Sequence, residues 1–104
     1  MPDISSLQTS ANAQERRAQG NEIEARRFRE SAERHAAAGD DVAAQADISS
    51  AERLEADAQR ERAMALAYNN QAEDERNARQ QQLDREISET ERSLQKLKDE
   101  RSRL

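Results

Sequence analysis

Ala36-Ala37-Ala38-Gly39-Asp40-Asp41 decides how this chain folds. Three alanines continue a helix, a glycine stops it, and two aspartates are placed to start another. Gly39 can take the left-handed backbone conformation that closes a helix, because it has no Cβ. Asp40 or Asp41 can then accept backbone N–H bonds and favour the positive end of the next helix. The stretch predicts the bend of a helical hairpin over residues 39–41, with a shorter arm before it and a much longer one after it.

Working backward, residues 1–38 form the first arm, opened by Pro2 with Asp3 as N-cap. Its apolar stripe recurs at alternating spacings of 3 and 4: Ile4, Leu7, Ala11, Gln14, Ala18, Asn21, Ala25, Phe28, Ala32 and His35. Such a stripe lies along one side of a helix, and its alanines suit close approach of a second helix. Gly20-Asn21 is a chemical weak point, since Asn21 with Glu24 fits a capping box. The stripe passes through it in phase, so one continuous helix is expected. A four-helix arrangement broken there and again at Asn69-Asn70 is the runner-up.

Working forward, residues 42–76 form the arm that packs on the first, with Ala44, Ile48, Ala51, Leu54 or Glu55, Ala58, Arg62, Ala65, Tyr68 or Asn69, and Ala72 as its stripe. Residues 73–82 carry no large apolar side chain. The pattern then resumes as Leu83, Ile87, Thr90, Leu94, Leu97, Arg101 and Leu104, after two successive steps of four that locally unwind a supercoil. Folding about Gly39-Asp40 sets residue i opposite about 79 − i. It would bring Phe28 toward Ala51, Ala25 toward Leu54, Ala11 toward Tyr68 and Leu7 toward Ala72, a seam of large against small. The expected fold is all-α: an antiparallel, alanine-rich, coiled-coil-like hairpin whose second helix extends past it over residues 77–104. That extension leaves Leu83, Ile87, Leu94, Leu97 and Leu104 as interface candidates with nothing in the same hairpin to cover them.

Composition sets the limits. Of 104 residues 34% are hydrophobic, and alanine supplies more than half of those, so a compact globular core cannot be filled. Charged residues make up 38% and the net charge is −5, with both signs mixed throughout. That mixture does not present the one-signed basic face that nucleic acid requires, so no nucleic-acid partner is predicted. The many arginines read as solvated faces with intrahelical i,i+4 pairs. No apolar run reaches membrane-spanning length, and residues 1–6 lack the regions of a secretory signal. The cytoplasm is the default setting, with non-Sec export or incorporation into a virion left open.

Catalytic chemistry has no foothold in these residues. His35 is the only histidine, and one histidine makes no metal site; a packing or capping role beside the bend is expected. Glu73-Asp74-Glu75 lacks the turning loop that gathers oxygens around calcium. There is no cysteine, no nucleophile beside its base, and no phosphate-binding glycine loop. Neither an enzyme nor a cofactor is expected. The Ala-Ala-Gly-Asp turn at residues 37–40 resembles that of a tetratricopeptide helix pair, but the aromatic and glycine pattern of that repeat is missing, so nothing is carried over. Helical hairpins of this size also occur in secretion apparatus and phage particles. The expected function is a non-catalytic structural or assembly protein that self-associates or joins a larger assembly through its helices. The alternative is a small adaptor or chaperone whose C-terminal helix docks into a partner protein.

Overall fold

The computed structural model describes residues 3–104 as two helices, α1 (Ile4–Ala37) and α2 (Asp41–Ser102), and no strand among the described residues. Pro2, expected to open the first arm, lies outside the described residues. Asp3 caps α1 by accepting a 2.6 Å bond from the Ser6 amide. Neither Gly20-Asn21 nor Asn69-Asn70 interrupts its helix, so the chain is a two-helix hairpin and not a four-helix arrangement. Helical hydrogen bonds on either side of Gly20 outweigh its propensity cost of about 1 kcal/mol.

At the bend the expected residues act in sequence. Gly39 has φ 81° and is the only glycine with positive φ among the described residues. The Gly39 amide donates to the Ala36 carbonyl at 3.0 Å and the Asp40 amide to the His35 carbonyl at 2.9 Å. These two bonds satisfy the last carbonyls of α1 in a Schellman closure. Asp40 is the N-cap of α2, accepting from the Ala43 amide at 3.1 Å, while Asp41 is already helical. The non-helical segment is therefore 38–40, one residue earlier than the sequence suggests.

The two helices pack side by side along α1, in a rod of 98 × 16 × 14 Å. Its buried side chains are Leu7, Ala11, Ala18, Ala25 and Ala32 from α1, and Ala44, Ala51, Ala58, Ala65 and Ala72 from α2. Each run from Ala11 and from Ala44 has a period of seven, so the buried centre is alanine except for Leu7 at the open end. Phe28, Leu54 and Tyr68, which the sequence reading put in this seam as the large partners, are only partly buried. The reason is steric. A seam of methyl groups lets the two backbones approach so closely that a larger side chain must lie over the flank. Phe28 accordingly shares a surface groove with Glu24, Ser50, Arg53 and Leu54.

A radius of gyration of 27.1 Å is about twice the ~13 Å of a compact chain of this length. The accessible surface is 8124 Å², against roughly 5,900 Å² for a globular monomer of this mass.

The two glycines should respond oppositely to alanine. A Cβ at Gly20 meets nothing within 4 Å on an ordinary helical backbone, so Gly20→Ala should stabilise by about 0.5–1 kcal/mol. A Cβ at Gly39 also has room, but its left-handed backbone should make Gly39→Ala cost about 1–2 kcal/mol. Urea denaturation followed by circular dichroism at one protein concentration measures both.

Candidate functional site

Polar side chains clamp the flanks of the alanine seam. Arg62 reaches across from α2 to two carboxylates of α1, Glu22 at 2.8 Å and Glu15 at 2.9 Å. Arg29 of α1 holds Glu55 of α2 with both Nε and Nη2. Asn21 donates to Glu61, and Arg76 to Gln8 at 2.9 Å. His35, beside the bend, stands with Nε2 3.6 Å from Asp47 Oδ2 of the opposite helix. The sequence reading placed the arginines in i,i+4 pairs along one helix. Among the described residues the ion pairs instead run between helices, except for Arg60 with Asp57 one turn away. The close alanine seam explains the shift: it brings the flanks of both helices within reach of one arginine side chain. In sequence, the signal is an acid on one arm within about five residues of the position that 79 − i sets opposite an arginine: Arg29–Glu55 and Arg62–Glu22 sum to 84, and Arg62–Glu15 to 77.

These clamps change how the carboxylates titrate. Hydrogen bonding from Arg62 holds Glu22 below the usual carboxylate range, and Arg29 does the same for Glu55. The Ser6 amide lowers Asp3 at the α1 N-cap.

The clamps end at Arg76, and with them the cover that α1 gives α2. Every residue from Arg76 to Leu104 is exposed. Leu83, Ile87, Leu94 and Leu97 are 40% to 62% exposed although all are large and apolar, and Leu104 is fully exposed. At 3.6 residues per turn, the eleven residues from Ala72 to Leu83 make three turns to within about 20°. Eleven more reach Leu94, again within about 20° per step. The apolar face of residues 83–104 thus points the same way as the buried alanines, into the trough that α1 would occupy if it were longer. Leu83, Glu86, Ile87, Thr90 and Glu91 line a shallow groove on it. The Thr90 hydroxyl donates to the Glu86 carbonyl at 2.8 Å, so this seam position carries no unpaired polar group. Elsewhere along the extension the polar contacts are local, as in Gln82 with Glu86 at 3.3 Å and Gln95 with Asp99 at 2.9 Å.

The structure therefore separates the residues singled out in sequence into two sets. Leu7, Ala11, Ala25, Ala51 and Ala72 are sealed inside the hairpin, with Phe28, Leu54 and Tyr68 on its flanks. Leu83, Ile87, Leu94, Leu97 and Leu104 stand on the bare extension. No helix is long and apolar enough to cross a membrane, and among the described residues no three His, Asp or Glu side chains converge as a metal-holding group. Comparison with protein-family models, with curated proteins and with solved structures finds no match.

Acid should loosen the clamps. Glu22 and Glu55 have lower pKa values folded than the 4.5 of a free glutamate. Their contribution is therefore fully present above about pH 4.5 and is lost as pH falls through the depressed folded values. Thermal midpoints should be level from pH 8 to 5 and then fall. Removing the donors in Arg29→Ala with Arg62→Ala should flatten that fall, leaving the part due to Asp3.

Proposed function

We propose that this chain is a non-catalytic structural or assembly protein that works by self-association through the exposed face of residues 83–104. One observation carries the proposal: four large apolar side chains at seam spacing, on a continuous helix, lie in line with a buried seam and have no cover. A helix pair needs such a face only where another helix meets it. The proposed contact is of coiled-coil type, with Leu83, Ile87, Leu94, Leu97 and Leu104 as its apolar residues. The thin core of the hairpin supports the same reading. Each buried alanine methyl contributes only about 0.8 kcal/mol, so covering several large side chains on the extension would add substantially to stability. Membership of a larger assembly, such as a secretion apparatus or a phage particle, is within this proposal, and so is a cytoplasmic setting.

Sedimentation of the pure protein tests it. The parent should form one defined oligomer that persists on dilution to micromolar concentration. Leu94→Asp with Leu97→Asp should sediment as a monomer while keeping the circular dichroism of the hairpin, because two unpaired carboxylates in an apolar seam cost several kcal/mol. A parent that is helical yet monomeric at all concentrations sinks self-association, and points to an adaptor whose C-terminal helix docks into another protein.

A further inference from the structure

The bare face can be occupied by a second copy in two orientations, and its charges favour one of them. From Leu83 to Ser93 the acids Asp84, Glu86, Glu89 and Glu91 outnumber Arg85 and Arg92. From Leu94 to Leu104 the bases Lys96, Lys98, Arg101 and Arg103 outnumber Asp99 and Glu100 by the same margin. The segment is thus acidic in its first half and basic in its second. Its seam positions are also symmetric about Leu94: Leu83 mirrors Leu104, Ile87 mirrors Arg101, and Thr90 mirrors Leu97.

Resting on the self-association reading, we propose that two copies pair antiparallel over residues 83–104, about a twofold axis at Leu94, with residue i opposite about 187 − i. Acidic halves then meet basic halves. Arg101, which occupies a seam position, lies level with Asp84 and Glu86 of the second copy. Glu91 and Lys98 meet twice across one edge of the seam. An in-register parallel pair would instead set Arg101 against Arg101 in the seam and acidic half against acidic half. Each orientation leaves one like-charged edge pair, also met twice by symmetry: Glu86 with Glu100 when antiparallel and Glu86 with Glu91 when parallel. The discrimination therefore comes from Arg101 and the two charge blocks.

The antiparallel pair also continues what the hairpin begins. In the hairpin, the occupant of the trough on α2 runs antiparallel to it. A second copy's extension in this orientation runs the same way as α1, along the same line, and its C-terminal Leu104, level with Leu83, ends about seven residues, roughly 10 Å, short of Asp3. The helix dipoles of α1 and the incoming extension then align head to tail. The assembly is a single two-helix-thick rod with one hairpin bend at each end.

Two measurements read the geometry. Two rods of 98 Å overlapping over about 33 Å give a maximum dimension near 160 Å by small-angle scattering, whereas a parallel pair would stay near the length of one chain. The chain has no cysteine among the described residues, so introduced ones report without background. Thr90→Cys mixed with Leu97→Cys should give a disulfide-linked dimer on mild oxidation, while each variant alone should not link to itself. Because cysteine in the seam can weaken assembly, Glu91→Lys and Lys98→Glu provide a surface check. Each should weaken the dimer roughly tenfold, and the two together should restore it. Self-linking of each cysteine variant, a short dimer, or tighter assembly of Glu91→Lys overturns the antiparallel arrangement and leaves self-association standing. A dimer insensitive to both charge reversals overturns the assigned face. A monomeric parent removes self-association itself, and the arrangement with it.

Discussion

Two backbones can lie side by side along α1 because the layer between them is one methyl group deep. Alanine at every seventh residue, from Ala11 to Ala32 and from Ala44 to Ala72, keeps that layer thin over the whole contact. The arrangement of everything else follows from it. Large side chains such as Phe28 and Tyr68 are pushed to the flanks. There they share space with polar groups that, in a wider seam, would point to solvent. Arg62 can grip Glu15 and Glu22 together only because the opposite helix is this close.

The same constraint limits stability. Methyl groups bury little area, so the hairpin holds a narrow apolar core and relies on flanking polar pairs for register. Most of those pairs, Arg29–Glu55 and the Arg62 pairs among them, are solvent-exposed, and exposed pairs are individually weak. Their value here lies in specificity of alignment: a slip by one residue would separate Arg29 from Glu55, Arg62 from Glu22, and Arg76 from Gln8 at once. The bend acts with them. The Schellman closure at Gly39 and the Asp40 cap leave only three residues between helices, which permits little freedom in how α2 starts back along α1.

Where α1 ends, the chemistry of α2 changes in step. Alanine gives way to leucine and isoleucine, and cross-hairpin pairs give way to local ones. The change matches the physical situation on each side. A helix held against its neighbour by a short bend meets it at high effective concentration, so small side chains suffice. A contact between separate chains must offset the loss of translational freedom, which calls for larger apolar groups. The switch from alanine to leucine in one continuous helix is therefore what a chain would need if it contacts itself over residues 44–72 and another molecule over 83–104.

Much of this is legible in the sequence. Spacings of 3 and 4 mark helices, Gly39-Asp40 marks the bend, and the uneven arms mark an uncovered C-terminal face, because these depend on local backbone preference and on side-chain period alone. Continuity through Gly20 was legible too, since the apolar stripe crosses it without changing phase. What the sequence alone could not divide was the stripe itself. Ala25 and Phe28 recur in the same pattern, yet one is sealed and the other lies on the flank. Which of the two faces the partner backbone depends on the distance between the helices, and that distance exists only once they are packed. For the same reason the arginines looked like partners for acids on their own helix. An arginine four residues from a glutamate has a partner in any isolated helix, whereas Arg62 finds Glu15 and Glu22 only after the chain has turned back at Gly39 and the alanine seam has closed.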